Sequence, residues 1–181
     1  MREISDKYQL DDVIITREQI EDRAAEIGRN ITRDYEGREV VFVGVLRGAV
    51  MWLSEVIKSV DLDTTLDFMV VSSYGDSTKT SGVVRIVKDV AEDMKGRHVI
   101  LVEDIVDTGR TLSYIKAHIA GKGAASVSTC TLLDKPSRHE INMDIEYVGF
   151  TVGDEFIVGY GLDLAQRYRN LPYITSVSAK D

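Results

Sequence analysis

Val99-Ile100-Leu101-Val102-Glu103-Asp104-Ile105-Val106-Asp107-Thr108-Gly109-Arg110-Thr111-Leu112 is the stretch whose reading decides the fold. Val99 to Val102 is a continuous apolar run, the pattern of a strand covered on both faces. Two adjacent carboxylates, Glu103 and Asp104, close that run. Asp107 follows, then a small hydroxyl-rich turn, Thr108 to Thr111, which opens into a helical pattern. Open α/β sheets bind ligands beyond the carboxyl ends of their strands. A helix N-terminus offers backbone N–H groups to anions. A buried strand that delivers acids and a tight turn to a helix N-terminus therefore predicts a phosphate site.

Outward from this stretch, strands and helices alternate. Thr16-Arg17-Glu18-Gln19 reads as a capping box, and Ile20, Ala24, Ile27 and Ile31 then share one helical face ahead of Gly37. Val40 to Leu46 reads as a buried strand. Arg47-Gly48-Ala49 leads into a second helix carrying Trp52, Leu53, Val56 and Ile57. Thr64 to Ser73 is a further strand. Tyr74 to Gly82 has no apolar period and reads as a mobile loop. Val83 to Val87 alternates and pairs locally. Leu112, Ile115 and Ile119 form the inner face of a helix that stops near Gly121-Lys122-Gly123. Ala125 to Leu133 is another strand. The tail reads as strands at Ile145 to Phe150 and Phe156 to Val158, with a short helix over Leu164 to Tyr168. The expected architecture is α/β, a mostly parallel central sheet flanked by helices, with the C-terminal strands forming a small hood. No repeat or linker divides the chain, so residues 1–181 are expected to form a single domain.

The 181 residues carry a formal net charge of -8, which disfavours broad binding to nucleic acid or to an anionic membrane. A few local cations still suffice for a small anionic substrate. Cys130, the sole cysteine, excludes an internal disulfide and reads as a small core hydrophobe. Met1 to Lys7 shows no apolar signal region, and no stretch has the ~18 apolar residues of a membrane span. A cytoplasmic location is the expectation.

Paired acids at a strand end can accept hydrogen bonds from a sugar diol or hold a divalent cation through oxygen and water. Asp107 or Thr108 as a helix cap would explain one residue of the run but not the constellation. The run is neither a Walker loop nor a Gly-x-Gly-x-x-Gly fingerprint, which weakens the triphosphate and dinucleotide readings. His98, His118 and His139 show no metal-ligand spacing and receive no role.

Val-Glu-Asp-Ile-Val-Asp-Thr-Gly-Arg-Thr, residues 102 to 111, resembles the phosphoribosyl pyrophosphate motif of the type I phosphoribosyltransferases. From about Val40 to Leu171 the chain is similar to the hypoxanthine-guanine branch of that family. The resemblance implies purine salvage: transfer of a 5-phosphoribosyl group from phosphoribosyl pyrophosphate to hypoxanthine or guanine, with Mg2+ as cofactor. It implies that Glu103 and Asp104 hold the ribose hydroxyls and the metal environment. Asp107 is then the general base at purine N7, and Thr108, Gly109, Arg110 and Thr111 bind the 5′-phosphate. Arg47 and Gly48 match the first pyrophosphate-binding loop, which has a cis peptide before the basic position, and Arg169 matches a pyrophosphate-binding arginine. Ser73 and Tyr74 match the start of the loop that closes over the reaction centre. Lys135 matches the lysine that recognises the purine 6-oxygen. Phe156 would stack on the base, Ile157 would meet its edge through the backbone, and Asp163 would lie near that edge and a second magnesium. Similar enzymes are homodimers or homotetramers.

Each of these residues also has a plainer reading. Lys135 reads alone as an exposed loop lysine, Phe156 as a core aromatic, Asp163 as a turn residue and Arg169 as a surface cation. A xanthine- or pyrimidine-preferring phosphoribosyltransferase is the nearest alternative. An RNA-binding regulator on the same fold is the alternative from another class, and it calls for a basic face with interleaved aromatics.

Overall fold

The computed structural model describes residues 7–73 and 84–180. Its main sheet has six strands, taken here in chain order: β2 (Val40–Leu46), β3 (Thr64–Ser73), β4 (Val84–Lys88), β5 (His98–Val106), β6 (Ser126–Asp134) and β7 (Tyr147–Thr151). Their spatial order is β4-β3-β2-β5-β6-β7. All pairings are parallel except that of β3 with β4. Helices α1 (Arg17–Asp34), α2 (Val50–Ile57) and α3 (Arg110–Gly121) complete this layer.

Alternate residues of the central strands enter two separate cores. Val40, Phe42, Ile100 and Val102 face α1 and α2, whereas Val41, Val43, Val99 and Leu101 face α3. This is why β2 and β5 read as unbroken apolar runs. α1 begins at the expected capping box: Thr16 Oγ1 accepts from the Gln19 amide, and Gln19 Oε1 accepts from the Thr16 amide. Its face of Ile20, Ala24, Ile27 and Ile31 is buried as expected. Cys130 is buried beside these residues, and desolvation pushes its thiol pKa up to about 12, so it packs as an apolar side chain.

The chain leaves β2 through α2 towards β3 on one side, and leaves β5 through α3 towards β6 on the other. The adjacent C-terminal ends of β2 and β5 therefore flank a topological switch point. One end carries Arg47-Gly48 and the other carries Glu103-Asp104.

Three expectations change. The hood is a three-stranded sheet, β1-β9-β8, made by β1 (Tyr8–Ile15), β8 (Ile157–Val158) and β9 (Ile174–Ala179). It therefore draws on both chain ends. The strand near Ile145 belongs to the main sheet, because β7 runs parallel to β6. Residues 164–168 are not helical. Leu164 and Arg167 form an isolated bridge, and Ala165, Gln166 and Tyr168 have positive φ of 48°, 65° and 72°. Ile15, Ile157 and Ile174 of the hood pack into the same core as Phe42 and Trp52, so one apolar interior runs through both layers. Among the described residues no helix is long and apolar enough to cross a membrane. Tyr74 and the loop to Gly82 lie outside the described residues, as does the side chain of Ser73; the Ser73 backbone pairs with Val84 at the end of β3.

Candidate active site

At the end of β2 the Leu46–Arg47 peptide is cis. Gly48 then passes directly against the Asp104 carboxylate, and a Cβ at that position would overlap it. Gly161, at φ +103°, presses on the Gly48 carbonyl from the other side. A left-handed backbone and a close approach both require glycine here. The two glycines and Asp104 thus bring β2, β5 and the segment after β8 to one point.

Glu103 and Asp104 sit in the C-terminal half of β5, and neither forms an ion pair among the described residues. Glu103 is buried; desolvation, with a further push from the neighbouring Asp104 charge, holds its carboxyl well above the usual carboxylate range. Burial also raises Asp104, partly offset by the Ile105 amide, which donates to Oδ1 at 2.9 Å, and by the Arg169 charge. Two buried acids, neither in an ion pair among the described residues, favour a ligand that brings positive charge or hydroxyl donors.

The turn after β5 encloses a small cavity of about 90 Å³ lined by Glu103, Asp107, Thr108, Gly109 and Thr111. Gly109, at φ +78°, is the N-cap of α3 and supplies no side-chain cap. Among the described residues, the side-chain acceptor on the first turn is Thr108 Oγ1, 3.4 Å from the Arg110 amide. The first turn of α3 thus borders the cavity with one long side-chain contact and no N-cap side chain, an arrangement that suits an anion. Arg110 turns away and pairs with Glu140.

A larger cavity of about 360 Å³ lies beside this cradle, lined by Asp104, Asp107, Lys135, Arg138, Phe156, Ile157 and Asp163 among others. Lys135 is only 7% exposed, in contrast to its reading as a loop lysine. Its Nζ donates to the Glu155 carbonyl at 2.6 Å. Phe156 is 56% exposed although it is a large aromatic, so it is not a core residue. Ile157 is buried at the cavity wall.

Arg138 was not legible as a site residue. Its Nε lies 2.5 Å from Asp107 Oδ1, and its Nη1 lies 3.4 Å from Asp154 Oδ1. It ends the short 3-10 turn Pro136–Arg138 that follows Lys135. The Lys135 amide donates to the Val106 carbonyl and the Glu140 amide to the Thr108 carbonyl, each at 3.0 Å. The loops after β5 and β6 are thus stitched together. His139 braces the second loop, with Nε2 2.7 Å from Asp134 Oδ1. His98 and His118 pair with Ser126 and Asp89, away from these cavities.

Asp163 and Arg169 face each other at the remaining edge, with Arg169 Nη2 2.5 Å from Asp163 Oδ1. Arg169 Nη1 donates to the Gly161 carbonyl at 2.5 Å. Arg47 reaches the same segment, donating to Gln166 Oε1 at 2.8 Å. The structure therefore gathers Arg47, Gly48, Glu103, Asp104, Asp107, the 108–111 turn, Lys135, Phe156, Ile157, Asp163 and Arg169 around one switch point. Among the described residues no three carboxylate, histidine or cysteine groups converge as a ready metal cage.

Comparison with known proteins agrees with this geometry. Residues 14–165 match the model of the phosphoribosyl transferase domain. The hypoxanthine phosphoribosyltransferase of Escherichia coli K12 is 46% identical over 172 residues, 94% of this chain and 97% of that protein. The bifunctional protein TilS/HprT of Listeria monocytogenes is 49% identical over 162 residues, and there the chain spans 25% of the relative's length. The structure of a hypoxanthine phosphoribosyltransferase from Staphylococcus aureus superposes with a TM-score of 0.90 at 40% identity, covering 98% of this chain and 95% of that one. A hypoxanthine-guanine phosphoribosyltransferase from Bacillus anthracis gives a TM-score of 0.88 at 40% identity, covering 94% and 99%. With acids at the switch point, a glycine-capped turn beside them and a buried lysine, the chain belongs to the hypoxanthine-guanine phosphoribosyltransferase family.

Proposed function

We propose that residues 1–181 act as one domain that transfers the 5-phosphoribosyl group of phosphoribosyl pyrophosphate to hypoxanthine or guanine. The products are IMP or GMP and pyrophosphate. The observation that carries this reading is the buried Lys135 ammonium, which lines one cavity with Asp107 and the exposed Phe156 ring, next to the uncapped turn. One Nζ hydrogen is taken by the Glu155 carbonyl, which leaves donors for a purine 6-oxygen. Adenine presents an amino group there, donor against donor, and leaves a buried charge unpaired.

Asp107 is the general base. Arg138 occupies its Oδ1, so Oδ2 remains to take the N7 proton as N9 bonds to the anomeric carbon. The bond from that carbon to pyrophosphate breaks in the same event, and Arg47 and Arg169 receive the charge that develops on the leaving group. The first amides of α3, with Thr108 and Thr111, hold the 5′-phosphate. Glu103 and Asp104 accept from the ribose hydroxyls. Phe156 covers one base face, and the Ile157 backbone meets the base edge. Ser73 and Tyr74 open the segment assigned to closure over the reaction centre.

Mg2+ fits the donor set, because Asp104 is a buried, unpaired carboxylate with Glu103 beside it and Asp163 close enough to raise its pKa. Magnesium favours one or two carboxylates plus substrate oxygens and water, and would neutralise pyrophosphate here. We also assign the chain a cytoplasmic location and a homodimeric or homotetrameric state, which light scattering on the purified protein would check.

The test is pyrophosphate release with phosphoribosyl pyrophosphate, magnesium and, separately, hypoxanthine, guanine, xanthine, adenine and uracil. Release with hypoxanthine or guanine is expected. Silence with both, or a preference for uracil or xanthine, would overturn the reading.

A further inference from the structure

Arg47 lies 119 residues from Gln166 in sequence, yet Gln166 is the meeting point of both site arginines. Arg47 Nη1 is 2.8 Å and Arg169 Nη2 is 3.3 Å from the same atom, Gln166 Oε1. Guanidinium groups only donate, so the amide must present its oxygen to them. Two like charges drawn towards one acceptor repel each other, and the arrangement needs a cause.

The backbone supplies one. The Leu164 and Arg167 amides donate to each other's carbonyls at 3.2 and 3.1 Å, and Ala165 and Gln166 between them have φ of 48° and 65°. A two-residue turn with both central residues left-handed favours Asn-Gly, and here it holds Ala-Gln. An unfavourable turn retained at a binding site points to what its side chain does. The Gln166 amide N–H donates to Asp163 Oδ2 at 2.6 Å, and Asp163 Oδ1 pairs with Arg169. Arg169 is thus fixed by Gly161, Asp163 and Gln166. The Arg47 guanidinium has Gln166 as its only hydrogen-bond partner among the described residues.

We propose that Gln166 is a positioning residue that holds Arg47 and Arg169 converged on one point, which an oxygen of a diphosphate group takes over on binding. The inference rests on the proposed function. An ionised diphosphate oxygen is a stronger acceptor than a neutral amide and displaces it. A carboxylate in the same place would pair with both arginines and resist displacement.

The experiment compares wild type, Gln166→Glu and Gln166→Gly. Gly keeps the left-handed turn and removes the side chain that accepts from both arginines. Binding of magnesium pyrophosphate is followed by calorimetry, alongside KM for phosphoribosyl pyrophosphate and for hypoxanthine. Gln166→Glu should weaken pyrophosphate binding and raise KM for phosphoribosyl pyrophosphate about tenfold or more, a factor of ten being ~1.4 kcal/mol. Gln166→Gly should weaken both roughly three- to fivefold, with KM for hypoxanthine and Tm little changed. Wild-type affinity in Gln166→Glu would overturn the proposal. So would equal losses for pyrophosphate and hypoxanthine together with a fall in Tm, which describe a merely structural turn. A wild type without turnover would instead sink the proposed function, and calorimetry would still decide the role of Gln166.

Discussion

Arg138 Nε lies 2.5 Å from Asp107 Oδ1, so the proposed base meets the purine with one oxygen already committed. This contact orients the carboxylate and leaves Oδ2 without a hydrogen bond from Arg138 at the edge of the cavity that Asp107 lines. Asp107→Ala should lower kcat by roughly 10²–10⁴-fold with small changes in KM, the usual range for a general base. Arg138→Leu should lower kcat less, by about tenfold, through lost orientation, and Arg138→Lys should restore only part of it. Steady-state kinetics with hypoxanthine checks both, and unchanged kcat in Asp107→Ala would remove its role.

Gly48 permits the contact between its backbone and Asp104, and no larger residue fits. Gly48→Ala should displace the Arg47 loop and the Asp104 carboxylate together. A shift of about 1 Å can cost on the order of 10² in rate. The expected loss is in kcat/KM for phosphoribosyl pyrophosphate, read beside a circular dichroism spectrum that shows the fold retained.

Phe156 and Lys135 separate site residues from core residues. Phe156 is 56% exposed, so Phe156→Ala should leave Tm within about 2 °C while KM for hypoxanthine rises. Replacing a buried core Phe would cost about 3–5 kcal/mol. Lys135→Met should raise KM for hypoxanthine on the order of 10²-fold without admitting adenine. Efficient adenine turnover in that variant would contradict donor matching as the source of selectivity.

Glu103 makes a pH prediction. Burial, and then the Asp104 charge, raise its folded pKa above its unfolded value. The folded state therefore binds the Glu103 proton more tightly. This stabilisation is complete below the unfolded pKa and is lost as pH rises through the folded pKa. Glu103→Gln should match wild-type Tm near pH 4 and exceed it near pH 8 by about 2–4 °C, the shift that ~1 kcal/mol gives in a domain of this size. Thermal melts across that range test it. A Tm gain that is the same at both pH values would show that ionisation is not the cause.

The central run was legible because its information is local. Val99 to Val102 lies between two cores, and Gly109 takes the left-handed position that the turn demands. β1 was missed because seven of its eight residues are exposed and its pairing with β9 shifts register twice, which erases the alternation that marks a strand. Residues 164–168 carry good helix formers, but the Gln166 backbone N–H answers to Asp163 and its side chain to the two arginines instead. Tertiary contacts overrode propensity there. Arg138 meets a partner 31 residues away, and no local pattern marks such a pair. Lys135 was legible only through the family resemblance, because the burial of a loop lysine depends on the fold around it.

The stitching of the loop after β5 to the loop after β6 has a thermodynamic consequence. On the proposed function, a ligand that steadies the 108–111 turn would steady the segment carrying Lys135 and Arg138 as well, so any cost of ordering both loops would fall on whichever substrate arrives first. The second substrate then binds a prepared surface. Linkage makes this reciprocal: the factor by which the sugar phosphate tightens the base is the factor by which the base tightens the sugar phosphate. On the proposed function, the empty protein is expected to bind free purine more weakly than its sugar-phosphate complex does, the two half-sites being coupled through the main-chain hydrogen bonds that join them.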